Sequence, residues 1–285
     1  MQQPTLGHKL WELLRFEQTL FALPIALAST LWAAGGWPPA RVLFWVVLAM
    51  VGARTAGMSA NRLIDARIDA DNPRTKDRLL PSGQVGAASV TLVMVGSLVL
   101  LGWSAKQLNP LCFALSPLAF FLLLGYSYLK RFTWACHFGL GLVQACGPLG
   151  GWMAVTGQFE WKALWLALGV SFWMAGFDML YALADEEHDR SHGIHSVPGR
   201  FGAVAACRLS RACHALSFLF WCGFSYAVSA GPIFAVGIGA VGALLIWEHV
   251  LVGPGNLEKL PVAFFKVNSF ISVILLLATI GEILL

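Results

Sequence analysis

The chain has 285 residues, of which 58% are hydrophobic and only 12% charged. A soluble globular protein carries about twice that share of charge, so the composition excludes an ordinary water-soluble enzyme and points to a polytopic membrane protein. The net charge of +4 excludes little by itself; its placement along the chain says more.

A span takes about 20 mostly apolar residues to cross roughly 30 Å of hydrocarbon. The start of the chain, to Arg15, is polar and lacks the short apolar core and small-residue cleavage site of a removable leader. Residues 6–17 read as an interfacial helix feeding the first span. Nine candidate helices then follow, near 18–34, 42–60, 86–104, 110–129, 136–156, 163–184, 207–229, 232–251 and 265–284. Strong turn chemistry separates them at Gly35-Gly36-Trp37-Pro38-Pro39, Asn109-Pro110, Gly231-Pro232 and Pro254-Gly255. The six cysteines form no CxxC pair and read as buried free thiols. The expected fold is all-α: one transmembrane domain over 1–285, a bundle of nine transmembrane helices with its active-site loops in the cytoplasm.

Positive charge sets the orientation. With the N-terminus inside, the inner segments hold fifteen lysines and arginines, among them Lys9, Arg15, Arg62, Arg67, Lys76, Arg190, Arg200, Arg208, Arg211, Lys259 and Lys266. The outer segments hold three (Arg41, Lys106 and Lys162), and Arg54 falls inside a span. Such a distribution suits a bacterial inner membrane. It also explains the basic residues without nucleic acid, which is not an expected partner.

Two acidic motifs stand out against this apolar background. Asn61, Asp65 and Asp69 close the second helix; Asp178, Tyr181, Asp185 and Asp189 close the sixth. Residues four apart share one helix face, so each motif reads as a short ladder of oxygen ligands. Carboxylates near a bilayer are costly and mark functional sites. Two facing ladders suit Mg²⁺, a hard cation that prefers carboxylate and phosphate oxygen, and Mg²⁺ in turn suits a diphosphate. Asp178 and Tyr181 are expected to be buried, and Asp185 and Asp189 to reach the aqueous edge. Arg54 lies two turns before Asn61 on the same face, where a guanidinium can pair with a carboxylate or phosphate. The loop that follows the first motif carries Arg74 and Arg78 and can fold over a diphosphate. Residues 192–200 follow the second motif and bring further donors, including His195. A zinc site built on His188, His192 and His195 is disfavoured, because the helix is lost at Gly193 and no cysteine is near.

These motifs, together with Tyr126-Ser127-Tyr128-Leu129-Lys130-Arg131 after the fourth helix, resemble the UbiA-type intramembrane aromatic prenyltransferases, over nearly the whole chain. The resemblance implies a nine-helix fold and a reaction in which an electron-rich aromatic ring attacks the first carbon of a polyprenyl diphosphate. It implies that Asp65, Asp69, Asp185 and Asp189 bind the diphosphate through Mg²⁺, with Asn61 assisting and Lys130 touching the diphosphate. Arg131 becomes a candidate for the carboxylate of an aromatic acid acceptor, with Arg54 and His195 as further acceptor-side candidates. Asp178 would polarise the phenol or accept a proton, and Tyr181 would stabilise the cation or orient Asp178. The family's usual acceptor is 4-hydroxybenzoate, on the ubiquinone route. One departure is His195 within His195-Ser196-Val197-Pro198, where many such enzymes carry lysine. That form looks like a branch using 1,4-dihydroxy-6-naphthoate on a route to menaquinone. A cation-coupled transporter is the alternative from another class, although its acids would be expected near the bilayer midplane.

Overall fold

Proline, glycine and asparagine set the helix ends. The computed structural model describes residues 19–285; the expected interfacial helix over 6–17 lies outside them. The long helices are α1 (Thr19–Ala34), α2 (Ala40–Asp71), α3 (Ala87–Leu108), α4 (Pro110–Gly125), α5 (Cys136–Thr156) and α6 (Trp161–Tyr181). After a short α7 (Glu186–Ser191) come α8 (Val197–Ala227), α9 (Pro232–Leu251) and α10 (Asn268–Leu284). Without α7 these are the nine expected helices. Pro110 and Pro232 occupy the first turn of α4 and α9, where a missing N–H costs nothing. The Asn109 side chain caps α4 by accepting from Cys112 N–H at 2.9 Å, and its amide donates to Met153 O at 2.8 Å, which ties α4 to the end of α5. Gly157 ends α5 in a left-handed conformation, φ 65°.

Among the described residues, seven segments are long and apolar enough to cross a membrane by themselves. The remaining two spans are α1, whose apolar part is shorter, and α8, which carries Arg200, Arg208 and Arg211 in its first half. Neighbours in the chain are neighbours in space: α1 to α6, then α8, α9 and α10, form a closed ring, and α10 returns to α1. Helix α1 also packs against α5, across the ring.

Two helix ends differ from the sequence reading. Helix α2 does not stop near residue 60 but runs through the whole first motif to Asp71. Ion pairs to Asp65 and Asp69 remove the repulsion that the apolar pattern alone could not anticipate. Helix α8 starts ten residues earlier than expected, at Val197. There Ser196 accepts from Gly199 N–H at 3.1 Å as the cap, and Gly202 at φ 82° breaks the helix between its first turn and its span.

Helix α6, which carries the second motif, is held from both sides by small residues. Ser217 and Ser210 of α8 donate to the carbonyls of Gly169 and Gly176, each at 2.7 Å. On the other side, a Cβ at Gly141 of α5 would lie 2.3 Å from the Ser171 carbonyl oxygen. Such small-residue faces let backbones approach where lipid gives helices no hydrophobic reason to associate. A Gly141→Ala variant should therefore lose about 1–3 kcal/mol of stability to overpacking, read as a lower unfolding midpoint in detergent. Gly150→Ala on the same helix, where nothing lies within 4 Å, should leave that midpoint unchanged.

Candidate active site

The two motifs meet at one end of the ring and line a single polar chamber of about 270 Å³. Asp65 and Asp69 stand one turn apart on α2 and are almost fully buried. Asp65 receives Lys130 Nζ at 2.6 Å, Arg131 Nη1 at 3.2 Å and the Asn61 amide at 2.8 Å. Lys130 and Arg131 reach it because the chain after α4 tightens into a 3₁₀ turn, Tyr126–Arg131. Asp69 receives both its contacts at 2.8–2.9 Å from one nitrogen of Arg78, with Arg62 at 3.8 Å.

The loop after α2 folds back at once. Asn72 accepts from Arg74 N–H at 2.9 Å, and Thr75 Oγ1 donates to Asp69 O at 2.9 Å. This turn throws Arg74 across the chamber. Its Nε donates to Asp185 Oδ1 at 2.9 Å, a second nitrogen pairs with Asp185 Oδ2, and a third donates to Tyr181 Oη at 2.9 Å. The Asn72 amide also donates to Asp185, at 2.8 Å. Burial alone would lower the Arg74 pKa, but the hydrogen bonds and charge of Asp185 and Tyr181 raise it above the ordinary arginine value, so this strap stays cationic.

The second motif is not one continuous ladder. Helix α6 ends at Tyr181 and the chain tightens into a 3₁₀ turn over Ala182–Asp185 before α7 begins. The expected exposures are also reversed at two positions. Asp189 is buried because Ser196 Oγ donates to it at 2.6 Å. Asp178 keeps 29% of its side chain exposed because it faces the chamber.

A second, apolar cavity of about 240 Å³ runs on between α2, α3, α4 and α5. Arg54, Tyr126, Leu140 and Gln144 line both cavities, so Arg54 stands where polar becomes apolar. Chamber-lining positions thus include Arg54, Asn61, Asp65, Asp69, Arg74, Arg78, Lys130, Asp178, Tyr181, Asp185 and Asp189.

Two expected acceptor contacts are not on that wall. Arg131 donates to Asp65, to Ser127 O at 3.1 Å and to Ile64 O. It faces a separate recess beside His188 and His192, and its guanidinium is committed to the end of α2. His195 donates its backbone N–H to Lys130 O at 2.7 Å, and its neighbours Ile194 and Ser196 line the chamber in its place. Conversely, His137 lines the chamber and lies 2.7 Å from Asp178. Nothing in the spacing signals it, since it is a lone histidine in an apolar run, 41 residues from its partner. Asn72 and Arg62 were likewise legible only as loop and topology residues.

The fold and site together describe a multi-pass membrane protein whose polar chamber shares lining residues with an apolar cavity. Residues 22–270 match the UbiA prenyltransferase family, and the chain belongs to that family: it is a membrane transferase of prenyl groups. It is 31% identical to a 4-hydroxybenzoate octaprenyltransferase of Methylobacillus flagellatus over 277 residues, covering 94% of this chain and 92% of the relative. A UbiA homolog from Aeropyrum pernix, solved in its apo form, superposes with a TM-score of 0.86 at 30% identity over 94% of this chain and 98% of its own. A UbiA homolog from Archaeoglobus fulgidus, bound to DMAPP and Mg²⁺, shares the fold at a TM-score of 0.67 and 18% identity, over 96% and 99% of the two chains.

Arg74→Gln should free the loop that crosses the chamber. Amide hydrogen exchange between Thr75 and Val85 should quicken by about fivefold, since a part-exposed pair is worth at most ~1 kcal/mol, while exchange in α5 stays as it is.

Proposed function

We propose that the protein transfers a polyprenyl group from polyprenyl diphosphate to a ring carbon of a phenolic aromatic acid, with 4-hydroxybenzoate as the acceptor, in respiratory quinone synthesis at a bacterial inner membrane. One observation carries this reading: a chamber of paired carboxylates and cations passes directly into an apolar cavity, with Arg54 at the junction. A diphosphate with an apolar tail matches that sequence of environments. The relatives named 4-hydroxybenzoate octaprenyltransferase support the choice of acceptor, and family membership displaces the transporter alternative.

The donor set fits Mg²⁺. Asp65, Asp69, Asp185 and Asp189 offer only oxygen, and Asn61 adds an amide. Among the described residues, no three His, Cys, Asp or Glu side chains already converge as a metal cluster. That also suits Mg²⁺, which is commonly held by one or two carboxylates while substrate phosphates complete its shell. When bound, it would supply positive charge against the charge that develops on the departing diphosphate. The protein's own part is an exchange of partners. Asp65, Asp69 and Asp185 now hold Lys130, Arg78 and Arg74 in turn, and Asp189 holds the Ser196 hydroxyl; a diphosphate lets those cations turn to phosphate and frees the carboxylates for the metal. Arg54 takes the acceptor's carboxylate, a planar two-pronged match. Asp178 takes the proton from the ring. The tail lies in the apolar cavity, whose walls keep water from the allylic cation.

Purified protein in lipid, given Mg²⁺ and a polyprenyl diphosphate, should convert 4-hydroxybenzoate to a prenylated product detected by mass. Product from 1,4-dihydroxy-6-naphthoate alone would move the assignment to the menaquinone branch, and product from neither would reject the aromatic-acid reading. A chelator should abolish turnover, and full activity in its presence would remove the metal. Asp65→Ala and Asp185→Ala should each cost at least about 100-fold in kcat, the scale of losing one preorganised charge contact; near-normal rates would place those carboxylates outside the reaction.

A further inference from the structure

His137 begins the inner wall of the chamber, on the first turn of α5, and touches two other elements. Its Nδ1 lies 2.7 Å from Asp178 Oδ2 on α6. Its Nε2 accepts a hydrogen bond from the backbone N–H of Val197, the first residue of α8, at 3.2 Å. A backbone N–H aimed at Nε2 requires a lone pair there, so the ring proton sits on Nδ1 and is donated to Asp178. His137 is 2% exposed, so its side chain is almost wholly covered by protein. Asp178, in contrast, opens to the chamber. Arg54, Tyr126, Tyr181 and Cys136 also line the chamber. Ser196, adjacent to Val197, donates to Asp189. Ser196, the cap of α8, and Val197, its first residue, thus hold one group on the diphosphate side and one on the acceptor side.

We propose that His137 is a positioning residue for the acceptor half of the reaction: it locks Asp178 by one oxygen, so that the other oxygen takes the proton the aromatic ring loses. This rests on the function proposed above and extends it to a residue outside both acidic motifs. The balance is simple. A π pair of the ring forms the new bond to the first prenyl carbon, and the carbon–oxygen bond breaks with its electrons on diphosphate. The ring proton passes to Asp178, and the electrons of the broken C–H bond restore aromaticity. His137 keeps its own proton throughout; a carboxylate held by one fixed donor has fewer orientations to lose before the transfer.

The test uses the full chain in lipid, with wild type, His137→Leu, His137→Asn, Asp178→Asn and the His137→Leu/Asp178→Asn pair. His137→Leu should lower kcat with the aromatic acceptor by about 100-fold, the scale of a misplaced catalytic group, while KM for polyprenyl diphosphate stays unchanged. His137→Asn, which can still donate to Asp178, should recover most of that loss. The double variant should be no slower than Asp178→Asn alone, because both changes remove one interaction. Equal losses in the Leu and Asn variants, a raised KM for the diphosphate, or additive losses in the double variant would make His137 merely structural and overturn the proposal. Nitrogen NMR of ¹⁵N-histidine protein gives a readout independent of turnover. His137 should carry its proton on Nδ1, and its signal should move in Asp178→Asn; the opposite tautomer overturns the proposal. Wild-type protein that prenylates no aromatic acid would overturn the function and the His137 role together, whereas an active wild type with unaffected His137 variants would overturn the His137 role alone.

Discussion

Five aspartates crowd one end of a bundle that is otherwise apolar, and the fold closes there because each of them meets a partner from another part of the chain. Lys130 and Arg131 come from the turn after α4 to Asp65; Arg78 comes back along the loop to Asp69; Arg74 crosses to Asp185. Ser196 and His137 serve Asp189 and Asp178. A buried carboxylate without such a partner is strongly destabilising, since desolvation is no longer offset. The pairing therefore dictates where the loops lie. It carries α2 past the end of its apolar stretch, and it brings Asn72, Arg74 and Arg78 of the following loop to the chamber wall.

The same pairs make the site exchangeable. A cation that neutralises an aspartate in one state can neutralise a phosphate in another, and the freed aspartate can then hold a metal. Both kinds of charge are already desolvated and oriented, so little reorganisation is needed when a diphosphate enters. The strength of each contact is moderated by partial exposure: Arg74, Lys130 and Arg131 keep between 27% and 34% of their side chains open, where ion pairs are individually weak.

Rigidity behind the site comes from chemistry of a different kind. Helix α6 places Asp178 and Tyr181, and its membrane half is built from apolar and small residues. Close packing holds it, through Gly169, Gly176 and their serine donors on α8 and through Gly141 on α5. Glycine at these positions is a matter of space, since a Cβ would strike a backbone oxygen or an aromatic ring. The buried Trp173 adds a further anchor by donating to Asn268 on α10 at 2.7 Å.

The sequence by itself determined the class, the helix count and the two carboxylate sets. Hydrophobic runs of fixed length, turn residues and four-residue spacing are local properties, so the nine spans and the motif residues could be read directly. It also held Arg54, Lys130, Arg74 and Arg78 as cations near the motifs. Tertiary structure alone decided which cation met which carboxylate. That is why Arg131 proved to hold Asp65 from outside the chamber, why His195 yielded its place on the wall to its neighbours, and why Asp178 and Asp189 exchanged their expected exposures. It alone brought His137 to Asp178, because a contact across 41 residues depends on how α5 and α6 pack, and no periodicity within either helix records it.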